Sequence, residues 1–544
     1  MSTAPEATCL EKWGGPIGLC LTLFMLSYTI GAVQPMMPAI VREFGSSVGF
    51  VQSALVLMSL VTASFTPTAE NLSRRLGRKT VFGWALVVFA IGLGVMVASP
   101  SISLFTVGLA AFTGLAAAVL ASTAMAFIDY LYDGKAEQYG LLALTIAGVV
   151  GNLAGSLLGG FLAFNLHWRW TFGLELALVP VIWLLVRRIT MPAPNQEIAV
   201  DWVAGLLSLG GFGLTLVGVS LAGDLGWWQA KGQPQPLSFL LAPFGISVVP
   251  LLISTGLICL GLLVVWQRQR LQRGESSLLR MGVFHRRFYL TGLSIGTLNT
   301  MVTVGVMFNL FQFVPAVVGL NPFQTAIAVM PFTIAQLVVL ILLVKRRLQF
   351  PPRYLLQIGL GVKSIGIAML FGVISPTVNS LWLLPALVVM GVGTGVFMAY
   401  ITSLTFAATA EHEKVEARGV YRPFQNLGAS LGRGILGTLL VTLASFKIVD
   451  GIIADLGQAV SPEVRRSAIR TLQVSIQTLT RAERTEFFAQ LPASIQPSLD
   501  SILEASAVEA MKATLLVILG LSLLCLGLSF LLPKTAKKFE APID

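Results

Sequence analysis

From Lys79 to Asp129 the chain reads KTVFGWALVVFAIGLGVMVASPSISLFTVGLAAFTGLAAAVLASTAMAFID, with 49 uncharged residues between its ionic ends. A helix needs about 20 apolar residues to cross a hydrocarbon layer of roughly 30 Å. The run is too long for one crossing, and Ser99-Pro100-Ser101 breaks it into two. The same pattern recurs along the chain. There are 29 uncharged residues between Lys12 and Arg42, and 26 between Glu43 and Glu70. Another 57 lie between Arg287 and Lys345, broken at Leu320-Asn321-Pro322. Composition agrees: 11% of the 544 residues are charged, 55% are hydrophobic, and the mean hydropathy is +0.82. A soluble domain carries about 25% charged residues to wet its surface. This chain must instead expose its apolar surface to lipid.

Continuing in this way predicts an all-α polytopic membrane protein of about fourteen spans. They fall near 14–38, 48–69, 80–98, 102–130, 138–164, 169–186, 202–222, 245–266, 288–314, 323–344, 354–374, 381–407, 419–446 and 511–532. Orientation is an independent check, because cytoplasmic loops carry the excess of Lys and Arg. With both termini cytoplasmic, the inner loops hold Arg74, Arg75, Arg78 and Lys79, then Arg187 and Arg188, the Arg268–Arg287 cluster, Lys345 to Arg353, and Lys534 to Lys538. The short outer loops hold Arg42, Arg169 and Lys231. An odd number of spans would scramble this asymmetry. The net charge of +11 then faces an anionic leaflet, so no nucleic-acid partner is implied. A multi-pass protein of the cell membrane, in bacteria the inner membrane, is the expectation.

Other classes fall away on residue types. The N-terminus shows no cleavable signal, because the run after Lys12 is too long and lacks a small-residue cleavage site. Cys9, Cys20, Cys259 and Cys525 lie in the inner tail or in spans, so no disulfide is implied. Gly361-Val362-Lys363-Ser364 has the tail of a phosphate cradle without its glycine spacing. With no metal-ligand spacing and three histidines, the expectation is no cofactor, no metal and no enzymatic chemistry.

Two features repeat in register. Pro38-Ala39-Ile40-Val41 closes span 1 and Pro315-Ala316-Val317-Val318 closes span 9; one span later come Arg74-Arg75-Leu76 and Arg346-Arg347-Leu348. Such repeats mark transporters. The division expected is a cytoplasmic tail 1–13, a six-helix half 14–187, inserted spans 7 and 8 with cytoplasmic linkers over 188–287, a second six-helix half 288–532 carrying an outer loop 447–510, and a cytoplasmic tail 533–544.

Several motifs then resemble the major facilitator superfamily. Glu70-Asn71-Leu72-Ser73-Arg74-Arg75-Leu76-Gly77-Arg78-Lys79 is similar to its G-x-L-A-D-R-x-G-R-K loop. Gly151-x-x-x-Gly155-Ser156-x-x-Gly159-Gly160 in span 5 resembles the antiporter signature G-x-x-x-G-P-x-x-G-G. Trp168-Arg169-Trp170-Thr171-Phe172, Asp201-Trp202-Val203-Ala204-Gly205, Gly226-Trp227, Gly282 to Phe288 and Phe311-Gln312 look like the fourteen-helix drug/proton antiporter subfamily. The resemblance implies a fold of two six-helix halves plus two inserted helices and an alternating-access transporter. It also implies a conformational gate in Glu70, Arg74, Arg75, Gly77, Arg78, Lys79 and the span 5 glycines. Departures matter equally. Span 1, Leu26 to Gln34, holds no acid; span 4 has Ala110 to Gly114 where an arginine is usual; Ser156 replaces the antiporter proline; and Arg74 replaces the loop aspartate.

Ionisable groups inside a bilayer are costly and usually face a cavity or a partner. Arg433, in Gly432-Arg433-Gly434 of span 13, is a candidate binding or coupling residue, or else a structural arginine bonding helix carbonyls. Lys363 in span 11 is a second candidate, unless its stem carries the ammonium out to headgroups. Glu175 in span 6 could titrate, although a structural ion pair fits a peripheral span. Gln34, Asn152, Asn299 and Gln312 are candidates in spans expected to line the central path, and such amides also join helices. Phe308, Phe311 and Phe313 would line an apolar wall or face lipid. In the loop, Ser461-Pro462-Glu463 starts a helix, with Ala468, Leu472, Ile476 and Leu479 on one face.

Three functions are open at this point: export of amphiphilic, drug-like compounds in exchange for protons; carriage or flipping of an anionic organic solute or lipid; and a non-transporting scaffold or receptor. Partners expected are a small-molecule or lipid substrate, membrane lipids and candidate coupling protons, with the chain a monomer.

Overall fold

The computed structural model describes residues 9–46, 48–132, 135–189, 201–225, 228, 246–273, 286–345, 351–377, 379–406, 414–456, 461–478 and 498–533. The first half contains α1 (Cys9–Phe44), α2 (Val48–Leu76), α3 (Arg78–Ala98), α4, α5 (Lys135–Asn165) and α6 (Arg169–Val186). Helix α4 runs as Ile102–Thr106, a π-helical stretch Val107–Thr113, and Gly114–Leu131. Helices α7 (Trp202–Leu225) and α8 (Val248–Gln272) follow. The second half contains α9 (Arg287–Phe313, ending in a π-helical turn Val314–Val318), α10 (Pro322–Lys345), α11 (Pro352–Val373), α12 (Ser380–Phe406), α13 and α14 (Leu499–Ser529). Helix α13 runs as Lys414–Leu431, a π-helical stretch Gly432–Leu436, and Gly437–Leu456.

Among the described residues, twelve helices are long and apolar enough to cross a membrane. The other two, α2 and α7, hold shorter apolar stretches, Ser53–Thr66 and Trp202–Thr215, where spans 2 and 7 were expected. Boundaries differ most at prolines and in the loop. Span 1 does not stop at Pro38; α1 continues to Phe44 with Pro16, Pro35 and Pro38 inside it. Packed neighbours can accommodate the backbone groups that a proline frees within a membrane helix. The expected loop 447–510 is shorter than read, because α13 continues to Leu456 and α14 already starts at Leu499. Within it Ser461 Oγ accepts from the Val464 N–H at 3.3 Å and caps a helix Pro462–Thr478. Ile469 and Leu472 bury against Ile448, Val449 and Leu499. Ala468, expected on that face, is exposed, and the side chains of Ile476 and Leu479 lie outside the described residues. The face turns by one residue toward the bulkier side chain.

Close backbone approach sets the first half. A Cβ on Gly151, Gly155 or Gly159 would collide with the α1 backbone at Phe24, Tyr28 or Ala32. Small residues permit such contact in membranes, where packing rather than water drives association. The α1 and α6 ends are tied by Glu43, which accepts hydrogen bonds from Trp168 Nε1 and Arg169 Nη1. Arg169 Nη2 also donates to the Ser99 carbonyl at 2.6 Å. Between α2 and α3, Gly77 has φ 94°, a backbone conformation that favours glycine.

The inserted pair forms a hairpin whose α7 packs on α2. Ser208 Oγ donates to the Ser64 carbonyl at 3.1 Å, and Gly205 sits against Thr68. Asp201 closes the pair's base. Its Oδ1 accepts from the Ala204 N–H at 2.9 Å, and its Oδ2 accepts from Arg270 Nη1 at 2.8 Å and Gln267 Nε2 at 3.2 Å. Helix α7 also meets the Gly432–Leu436 stretch of α13, with Phe212 and Phe424 ring centroids 6.4 Å apart.

Candidate functional site

Helix α9 carries one face of the candidate site. Thr303 lies one turn from Asn299 and donates its hydroxyl to the Asn299 carbonyl at 2.8 Å. Lys363, wholly buried on α11, reaches across to both. Its Nζ donates to Asn299 Oδ1 at 2.7 Å, Asn299 O at 3.2 Å and Thr303 Oγ1 at 2.6 Å. An ammonium has three N–H donors, and three acceptors meet them. The lysine therefore turns inward, and of the two readings its stem does not carry the ammonium out to headgroups. Burial with neutral partners satisfies the ammonium at a depth where the hydrocarbon core offers no acceptor.

The opposite face of α9 packs against α13. A Cβ on Gly432 would press on the Met301 carbonyl and one on Gly305 would press on Leu436. Asn309 Nδ2 donates to the Leu436 carbonyl at 3.3 Å, while its Oδ1 is buried without a partner. A π-helical stretch widens the turn and often marks a functional position. Here it carries Arg433, 3% exposed. Arg433 Nη1 donates to the Leu55 carbonyl and to Ser59 Oγ, each at 3.3 Å, so the guanidinium crosses from the second half to α2 of the first. Phe308 crosses too: it is buried and joins the apolar core of the first half. It does not face lipid, and Phe313 is buried in the second half's own core.

Glu175 on α6 is 1% exposed and faces α1. Its Oε1 is hydrogen-bonded to Thr29 Oγ1, and its Oε2 is buried without a partner. The expected structural ion pair is absent among the described residues. A peripheral helix with no cation opposite this position leaves the carboxyl only hydroxyls to meet. Of the remaining candidates, Gln34 is half-buried and Asn152 is exposed. Gln312 Nε2 is buried without a hydrogen-bond partner. The structure thus brings Lys363 and Asn299 together, and sets Arg433 and Glu175 against other helices.

The gate residues divide. Arg74 and Arg75 are exposed on the last turn of α2. Arg78 Nη1 donates to the Ala126 carbonyl near the end of α4, within its own half, at 3.3 Å. Lys79 is half-buried, and the side chains of Glu70 and Asp129 lie outside the described residues. Gly151, Gly155 and Gly159, expected in the gate, face α1 within the first half. Gly160 does meet the second half, at Pro322 and Phe323 of α10, beside the Phe161–Phe323 edge contact at 5.6 Å. Helical spacing explains the split, since residues four apart share a face and Gly160 is turned from it.

Sequence reading missed Thr29, Ser59 and Thr303, the hydroxyls that receive the three buried ionisable groups. Only Thr303 carried a local signal, its spacing of four from Asn299. The Asp201–Arg270 pair was also missed, because 69 residues separate the partners.

Two packed helical halves joined by an inserted hairpin, with ionisable side chains turned away from lipid, define a membrane transporter. The chain belongs to the Major Facilitator Superfamily, whose family description matches residues 19–432. It is 23% identical over 429 residues to Multidrug resistance protein Stp of Mycobacterium tuberculosis, covering 78% of this chain and 75% of that one. It is 25% identical over 448 residues to Puromycin resistance protein pur8 of Streptomyces alboniger, covering 80% and 84%. Among solved structures, a bacterial homolog to the human lysosomal transporter Spinster matches in fold with TM-score 0.54 and 13% identity, covering 99% of this chain and 100% of that chain.

Proposed function

We propose that this transporter exports amphiphilic, drug-like compounds across a cell membrane in exchange for protons. The observation that carries the reading is the match over about four-fifths of the chain to Puromycin resistance protein pur8, with a comparable match to Multidrug resistance protein Stp. The Lys and Arg distribution supports cytoplasmic termini, and each half's own buried core supports a monomer surrounded by lipid. On this reading residues 14–187 and 288–532 rock about a central path, and 188–287 attach at its flank. Gln34, Asn152 and Gln312 are the amides offered to cargo. Arg433, Phe308 and Gly160 tie the halves on the side bearing the α1–α2, α5–α6 and α9–α10 turns, which is outward in this orientation. The arginine loop and Glu70 are assigned to the opposite, cytoplasmic gate.

An anionic cargo is not the favoured reading, because the Lys363 donors are already taken by Asn299 and Thr303. The test is ethidium accumulation in cells producing the chain. Accumulation is expected to fall severalfold below that of empty cells and to recover when a protonophore is added. Equal accumulation in producing and empty cells would refute export of this class.

A further inference from the structure

Thr29 has one hydroxyl hydrogen and two acceptors within reach. One is the Met25 carbonyl at 3.2 Å, one turn back along α1; the other is the Glu175 carboxyl on α6. If Glu175 is ionised, the hydrogen must point to Oε1, and both the Met25 side of Thr29 and Oε2 go unserved. If Glu175 is protonated, its O–H donates to Thr29 Oγ1 and the Thr29 hydroxyl donates onward to Met25 O. Every hydrogen is then used. Burying an ionised carboxylate without compensation is strongly unfavourable, so the group neutralises instead. The protonated carboxyl thus uses the hydrogen-bonding groups at this position more fully than the carboxylate does.

The surroundings keep it so. From α1 the one titratable group facing the carboxyl is the Tyr28 hydroxyl, itself 3.5 Å from the Thr171 carbonyl. Helix α3 has as its ionisable residues Arg78 and Lys79, and α5 has Lys135, Glu137 and Tyr139, all at the end remote from Glu175. On α6 itself, Arg169 lies about 9 Å along the axis at 1.5 Å per residue and is bonded to Glu43. No described cation faces the carboxyl.

We propose that Glu175 is the proton-carrying acid of this transporter, supplying from α6, against Thr29, the carboxyl that α1 lacks between Leu26 and Gln34. The assignment rests on the proton-exchange reading above and names its residue. Because the carboxyl is closed to water, a proton reaches or leaves it only when α1 and α6 part. Loading and release are thereby bound to helix movement. The adjoining face of α1 at Tyr28 and Ala32 is the backbone seam with α5, whose end meets α10 of the other half at Gly160. A shift of α1 against α6 is therefore delivered to a helix that touches both halves. The reaction is a proton transfer alone: water protonates the carboxylate on one side of the cycle and receives the proton on the other.

The test uses full-length protein in vesicles of phosphatidylethanolamine and phosphatidylglycerol, with ethidium as the probe. Two rates are measured, accumulation driven by an imposed pH gradient and counterflow of ethidium at equal pH. Glu175→Gln is expected to lower gradient-driven accumulation at least tenfold, to hold counterflow within twofold, and to flatten its pH profile. Glu175→Asp, still titratable but one methylene short, is expected to keep part of the gradient-driven rate. Gradient-driven accumulation within twofold of the unmodified protein in the Gln variant would overturn the assignment while leaving proton exchange intact. Loss of counterflow in the Gln variant, or equal loss in Gln and Asp, would mark a structural residue and overturn it as well. If the unmodified protein ignores the gradient, the proton-exchange reading fails and the assignment goes with it.

Discussion

Arg433 Nη1 stands 3.3 Å from Ser59 Oγ, and the bond joins α13 of the second half to α2 of the first. A contact between two bodies that must separate is formed in one state of the cycle and broken in the other. Arg433→Ala is therefore expected to favour the state in which this side is open. Spin labels at Leu166→Cys and Leu381→Cys, in a background without the native cysteines, should report a longer mean distance. Transport per folded molecule should fall at least tenfold, with Arg433→Lys keeping the charge and part of the rate but losing the guanidinium's fixed donor geometry. An unchanged distance distribution with normal turnover would remove the arginine from the gate.

The Lys363 cluster separates charge from packing. Breaking a buried charge's partners costs more than replacing the charge with an apolar side chain of similar volume. Asn299→Leu leaves the ammonium one side-chain acceptor short, at a cost of about 1–3 kcal/mol. It is expected to lower the thermal midpoint more than Lys363→Met does. The double variant should recover much of the loss. Additive losses in the double variant would mean that the two side chains do not act as a pair.

The glycines offer a matched comparison. Gly155→Ala places a methyl against the Tyr28 carbonyl with no room to yield, whereas Gly361→Ala meets nothing within 4 Å. The first is expected to reduce folded yield sharply. The second should be neutral or slightly stabilising, since alanine forms helix better by about 1 kcal/mol. Similar yields would show that α1 and α5 do not need the close approach.

At the inserted hairpin, Asp201→Ala removes the carboxylate that Arg270, Trp266 and Gln267 share. Loss of one partner from a buried pair costs about 3–5 kcal/mol. The thermal midpoint is expected to fall, with the rest of the chain still inserted. An unaltered thermal midpoint would show that the pair does not hold α7 to α8.

Spans were legible because a membrane helix announces itself by length and absence of charge, both local properties. The halves were legible from the paired Pro-Ala and Arg-Arg-Leu landmarks. Partner choice was not. Whether Lys363 turned to lipid or to α9 depended on Asn299 and Thr303, 64 and 60 positions earlier, and no periodicity encodes that. Glu175 was visible as a lone acid, but Thr29 opposite it is an ordinary threonine in an apolar helix. The span 5 glycines were recognised as close-approach residues, yet one helix has several faces. Which neighbour Gly155 and Gly160 each touch follows from tertiary packing, not from the motif.

The most direct test of proton-coupled export follows protons while cargo moves. Vesicles containing the unmodified protein are loaded with pyranine at acid pH, and ethidium is added outside. The account expects the lumen to become more alkaline as ethidium enters, with both signals abolished when a protonophore has already collapsed the gradient. Ethidium entry at an undiminished rate with no change in luminal pH would contradict it.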